Sequence, residues 1–225
     1  MRSTGVFVGM LAVASGLRVA APTVPKAVAA PAMTSSSWYQ QLSERHYLPL
    51  ACVQSGCLRG GSDIVAQMLR ESPVLDIAHA AAMGTTGVII SGLIGASWLR
   101  LLESELGSGV EPLDVAKKSL ADYCLYAPFA NSMYLLLVPA LSAIYSSAPD
   151  LILCNGEICT ADLLATAVGT ASAAWAHGFG PAMTLEAMIF APYNLMSFRM
   201  IPSTLRPQTT AAACAGYTIA LSSLC

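Results

Sequence analysis

A helix rises about 1.5 Å per residue, so crossing roughly 30 Å of hydrocarbon takes about 20 apolar residues. Cut on that ruler, the chain falls into long apolar segments parted by short charged or proline-bearing ones. Residues 47–69 are apolar apart from Arg59 and Asp63, residues 77–102 carry only His79 and Arg100, and residues 120–145 carry only Asp122. The last third holds further apolar segments at 163–179, 182–198 and 207–224. Gly178-Phe179-Gly180-Pro181 predicts a helix break at the first of these junctions. The arginines of 199–206 predict a membrane surface at the second. The pattern predicts an all-α, polytopic transmembrane helix bundle of about four spans plus an apolar C-terminal helix.

Composition points the same way. A soluble domain is roughly 25% charged, whereas this chain is 11% charged and 55% hydrophobic, with a mean hydropathy of +0.61. That leaves too little polar surface to wrap a globule in water, and membrane lipid is the natural partner for the excess. The formal net charge of -2 and the lack of a basic patch argue against nucleic acid. Loop charges orient the bundle, because Lys and Arg in short loops stay on the side from which insertion starts. Arg45, Arg100, Lys117 and Lys118 fall on the side of the mature N-terminus, while the loops at 70–76 and 146–162 contribute only Arg70.

The first acidic residue is Glu44, preceded only by the basic Arg2, Arg18 and Lys26 in a sequence rich in Ala, Val, Ser, Thr and Pro. Arg2 with the apolar stretch 4–17 fits a signal peptide, and the acid-free stretch 18–37 fits a transit peptide. Residues 1–37 are therefore expected to be a cleaved targeting leader and 38–225 the membrane domain. The leader favours a plastid or mitochondrial inner membrane over a peroxisomal one.

An ionisable group at a span centre costs about 2.5 to 3.5 kcal/mol on insertion scales. Arg59 and Asp63 are four residues apart, as are Lys118 and Asp122, so each acid and base shares a helix face and can pair; Gln67 continues the face of Asp63. These groups either line a polar path between helices or fix packing as ion pairs. The two readings stand level for Asp122. For Arg59 the neighbouring Gly60 and Gly61 favour packing, and Gly84, Gly87, Gly92 and Gly95 form a further small-residue stripe. His46, His79 and His177 stand alone, and the seven cysteines lack metal-site spacing. They read as free thiols, with Cys154 and Cys159 close enough in sequence to pair. No catalytic, cofactor or metal site is expected, and an enzyme is the least supported class.

Dispersed residues carry a further signal in their order. They are Pro49, Asp63 with Gln67, Asp76, Gly92 with Trp98, Lys118 to Asp122, Pro128, then Phe198 with Pro202 and Arg206, and Leu221-Ser222. In this order and spacing the chain resembles the Mpv-seventeen and twenty-two-kilodalton peroxisomal membrane protein family of small organelle membrane proteins. It departs from the family pattern at His79, Ala82, Tyr123, Ser197 and Ala191-Pro192. The resemblance implies a bundle of about four helices in an organelle membrane, with channel-like behaviour. The expected function is a weakly selective channel for small solutes, with Arg59, Asp63, Gln67, Lys118 and Asp122 as candidate path or ion-pair residues. The alternative is a non-transporting structural or assembly subunit of an organelle membrane complex, and the expected partners are membrane lipid, small solutes, and a second copy of the chain or such a complex.

Overall fold

The computed structural model describes residues 38–70, 74–107, 109, 111–153 and 160–224. The leader, Cys154 and Cys159 lie outside them. The chain divides into units Met1–Trp38 and Tyr39–Cys225, and the architecture below is that of the second. Among the described residues it is all-helical, with no strand.

A short helix, α1 (Trp38–Arg45), leads into α2 (Tyr47–Leu69). A second rod runs through α3 (Ile77–Thr86), a π-helical segment at Gly87–Gly95 and α4 (Ala96–Leu106). A third runs through α5 (Pro112–Ala121), a second π segment at Asp122–Tyr126 and α6 (Ala127–Leu153). The chain ends with α7 (Thr160–Met200) and α8 (Arg206–Leu224). Local chemistry sets several boundaries. The Asp76 carboxylate accepts from the backbone N–H of His79 at 2.8 Å and caps α3. Gly107, at φ +75°, supplies the left-handed residue that ends α4. Pro112 opens α5, where its missing N–H has no helical partner to lose.

Among the described residues, two rods are long and apolar enough to cross a membrane, Ile77–Leu106 and Pro112–Ser147. This is fewer than the four expected. Interior-facing polar residues lower the average elsewhere: Arg59, Ser62, Asp63 and Gln67 in α2, and Glu186 and Asn194 in α7.

The predicted break at Gly178 to Pro181 does not occur. The helix continues from Thr160 to Met200 with Pro181 and Pro192 inside it, a length of about 60 Å at ~1.5 Å per residue. Each proline removes one backbone donor, but packing on α6 holds the helix through the first of them. Trp175 stacks on Phe179 at 5.4 Å and donates from Nε1 to Ser132 Oγ at 3.1 Å. Gly178 faces Leu135, whose Cδ2 would lie 2.9 Å from an added Cβ.

The order of packing follows the rods. α2 lies against α8, the first π segment and α3; α3 lies against α6, and α6 against α7. Glycines set the closest approach. A Cβ on Gly92 would fall 2.5 Å from Cys52 Cα, and one on Gly87 2.8 Å from Ser55 O. Gly56 and Gly60 meet Gly84 backbone to backbone. The stripe read from sequence is thus a true contact seam, except that Gly61 faces open space.

Beside an apolar core, the chain shows many of the features that are informative because a water-soluble domain avoids them, buried polar and exposed apolar groups. Arg59, Asp63, Lys118, Asn194, Arg206 and Gln208 are buried, while Val53, Val65, Met68, Leu93, Leu120, Val168 and Met188 are exposed.

Candidate functional site

Polar side chains gather at three levels along α2. The middle level is a partly enclosed space of about 640 Å³, open volume included, between all the long rods. Arg59 enters it from α2, Ser91 from the first π segment, Asp122 and Tyr126 from the second, Asn131 and Tyr134 from α6, Glu186 and Asn194 from α7, and Cys214 from α8. Asp122 accepts from Trp98 Nε1 at 2.8 Å and from Asn194 Nδ2 at 2.6 Å. Arg59 donates from Nη1 to Thr218 Oγ1 at 3.0 Å, and its guanidinium lies 4.5 Å from the centre of the Tyr134 ring. Its Nε is buried with no hydrogen-bond partner among the described residues.

The π segments shape this space. Gly95 leaves room for the Tyr126 hydroxyl, which would be 2.5 Å from an added Cβ. That hydroxyl donates to the Ile90 carbonyl at 2.9 Å, inside the first π segment. The Trp98 ring stacks on that of Tyr126 at 6.1 Å, behind the cavity wall that Tyr126 forms. Ser91 and Tyr134 share a hydrogen bond at 2.9 Å.

The level near the start of α2 is held by Glu103, which forms ion pairs with Lys118, at 3.3 Å, and with Arg206. Lys118 also donates to the Gly109 carbonyl. Arg206 donates from Nε to Ile201 O at 2.9 Å and from Nη2 to Phe198 O at 3.1 Å, with its guanidinium 5.1 Å from the Phe198 ring centre. Leu205 N–H donates to Pro202 O. Phe198, Pro202 and Arg206 therefore form a clasp that turns α7 into α8. Arg100 lies 3.8 Å from the centre of the Tyr47 ring. A pocket of about 410 Å³ bordered by Arg100, Glu103 and Arg206 shares Leu99 with the central cavity.

The third level, near the end of α2, is a separate pocket of about 530 Å³ bordered by Asp63, Gln67, Asp76 and His79. Asp63 accepts from Gln67 Nε2 at 2.7 Å and lies 2.9 Å from His79 Nδ1. Gln67 also exchanges hydrogen bonds with the backbone of Asp76, accepting at 2.6 Å and donating at 3.1 Å. This ties the end of α2 to the start of α3.

Three expectations are thereby corrected. Arg59 does not pair with Asp63, and Lys118 does not pair with Asp122. In both the base precedes the acid, the less favourable order for an (i, i+4) pair. Helical side chains tilt toward the N-terminus, which carries Lys118 back to Gly109 and Glu103 while Asp122, one turn on, meets Trp98 and Asn194. His79 is not alone, since Asp63 is its partner.

Of the candidate path residues, Arg59 and Asp122 line the central cavity, Asp63 and Gln67 line the separate end pocket, and Lys118 belongs to the Glu103 cluster. Of the resemblance residues, Pro49 lies in the first turn of α2, Asp76 caps α3, Gly92 touches α2, Trp98 holds Asp122, and Pro128 opens α6. Leu221 and Ser222 lie in α8, with side chains outside the described residues. Sequence reasoning missed Glu103, Glu186 and Asn194. Glu186 carried a usable signal, because it is the one acid within the apolar stretch 182–198. Glu103 lay one residue past the segment boundary.

Among the described residues no group of three or more His, Cys, Asp or Glu side chains could hold a metal ion. Comparisons with family models, with curated proteins and with solved structures found no match to this chain.

Proposed function

We propose that the chain is an integral organelle-membrane protein of the Mpv-seventeen type, whose helix bundle carries a weakly selective path for small polar solutes. In this reading α2, the two rods with π segments and α7 make four crossings, with α8 packed along α2. The leader favours a plastid or mitochondrial inner membrane. Exposed apolar side chains then face lipid, and the buried polar ones face the interior.

The observation that carries the reading is the central cavity. Its charged side chains, Arg59, Asp122 and Glu186, form no ion pair with one another or with any other described residue. Ionisable groups in such a setting mark solute and ion pathways. The adjoining pocket beyond Leu99 gives this cavity a neighbour toward the basic end.

The path is tested by reconstituting the purified protein in planar bilayers. Conductance is expected, with Arg59→Gln shifting ion preference toward cations and Asp122→Asn shifting it toward anions. Silent bilayers, or conductance indifferent to both changes, would defeat the assignment. A second reading, a structural subunit of a membrane complex, draws on the Glu103 cluster and the glycine seam. Comigration with a larger complex on native gels, together with silent bilayers, would favour it.

A further inference from the structure

We infer that the central cavity is a binding site for small zwitterions, molecules that carry an ammonium and a carboxylate a few bonds apart, as α-amino acids do. The inference deepens the proposed solute path and rests on it. Burying a charge is costly unless it is paired, and this cavity holds both signs with no direct ion pair between them. On one wall Arg59 is only 9% exposed. Its Nη1 is occupied by Thr218 and its face by Tyr134, while Nε, buried, lacks an acceptor. On the other wall stand Asp122, held only by the neutral donors Trp98 and Asn194, and Glu186 on the same helix as Asn194.

A ligand that satisfies both walls needs an acceptor for the guanidinium and a cation for the carboxylates. A dianion such as inorganic phosphate would meet two carboxylates against one guanidinium. A simple cation would leave the Arg59 Nε without an acceptor. A neutral polyol would compensate neither charge. A zwitterion brings a carboxylate to Arg59, where charge-assisted bonds are strong, and an ammonium to Asp122 and Glu186. Leu99, Ala130 and Phe190 on the cavity wall leave an apolar flank for a short side chain.

The test uses the full chain in proteoliposomes and in detergent, with alanine, with alaninamide, which lacks the negative charge, and with lactate, which lacks the ammonium. Alanine is expected to enter about tenfold faster than either, the ratio that one charge-assisted hydrogen bond supplies. Arg59→Gln should bring alanine down to the rate of alaninamide, and Glu186→Gln should bring it toward that of lactate. Should Arg59→Gln elute as aggregate, Arg59→Lys keeps the charge without the forked donor and should narrow the preference severalfold; an unchanged preference overturns the inference. Equal entry of all three probes overturns the zwitterion site and leaves the path standing. Alanine that raises the melting temperature in detergent without crossing the liposome supports the site and overturns the path. Neither entry nor stabilisation overturns both.

Discussion

Glu103 on α4, which meets α5, and Asp122, on the π continuation of α5, are two carboxylates treated in opposite ways. Glu103 receives both Lys118 and Arg206, each almost fully buried. Asp122, four residues beyond Lys118, receives only an indole and an amide. The end cluster uses charge to fix where α4, α5 and the turn into α8 meet. The central cavity holds both signs with no direct ion pair, Arg59 and Glu186 acting on each other only across the space. Arg59 makes no direct ion pair with either cavity acid.

The sharpest way to break this contrast is to remove Glu103. Glu103→Ala leaves two buried cations without a counter-charge, and breaking a buried pair in this way costs about 3 to 5 kcal/mol. The expected result is loss of monodisperse protein, or a large fall in melting temperature in detergent. Gly92→Val tests the seam on which both regions depend. The added side chain would collide with the α2 backbone at Cys52, and overpacking of this kind costs roughly 1 to 3 kcal/mol. If it melts like the parent, the close approach of the rods is not what holds them.

Asp122→Asn should cost much less, about 1 kcal/mol, because it loses part of two hydrogen bonds and no ion pair. It should nevertheless change conductance, and a fall in stability matching that of Glu103→Ala would erase the distinction between the two regions. The smallest effect is expected at Gly61, where an added Cβ meets nothing within 4 Å. Gly61→Ala should stabilise α2 by roughly 0.5 to 1 kcal/mol through helix propensity, read as a small rise in melting temperature.

The helical class and the glycine seam were legible in the sequence because both are periodic. Hydropathy marks the rods, and small residues recur where backbones must approach. The charge partners were not legible. Spacing along one helix pointed to Arg59 with Asp63 and Lys118 with Asp122, but the contacts that win come from other rods: Thr218, Glu103, Trp98 and Asn194. The continuity of α7 through Pro181 was hidden for the same reason, since Trp175, Gly178 and Leu135 act across the interface with α6. Local signals place a residue on a face; only the assembled bundle says what that face meets.

The π segments also bear on how the chain tolerates insertions and deletions. A π turn accommodates one residue more than an α turn, so each segment absorbs an extra residue without changing the phase of its rod. Each residue of an α-helix turns its successors by about 100°. Deleting a single residue within Asp122–Tyr126 would let the third rod close into an unbroken α-helix with Asn131 and Tyr134 still on the cavity wall. The same deletion in the α turns on either side, where no residue is spare, would rotate the polar interior away from the register of Lys118. The extra residue is slack in the strict sense, a position the rod can lose without turning either end from what it meets.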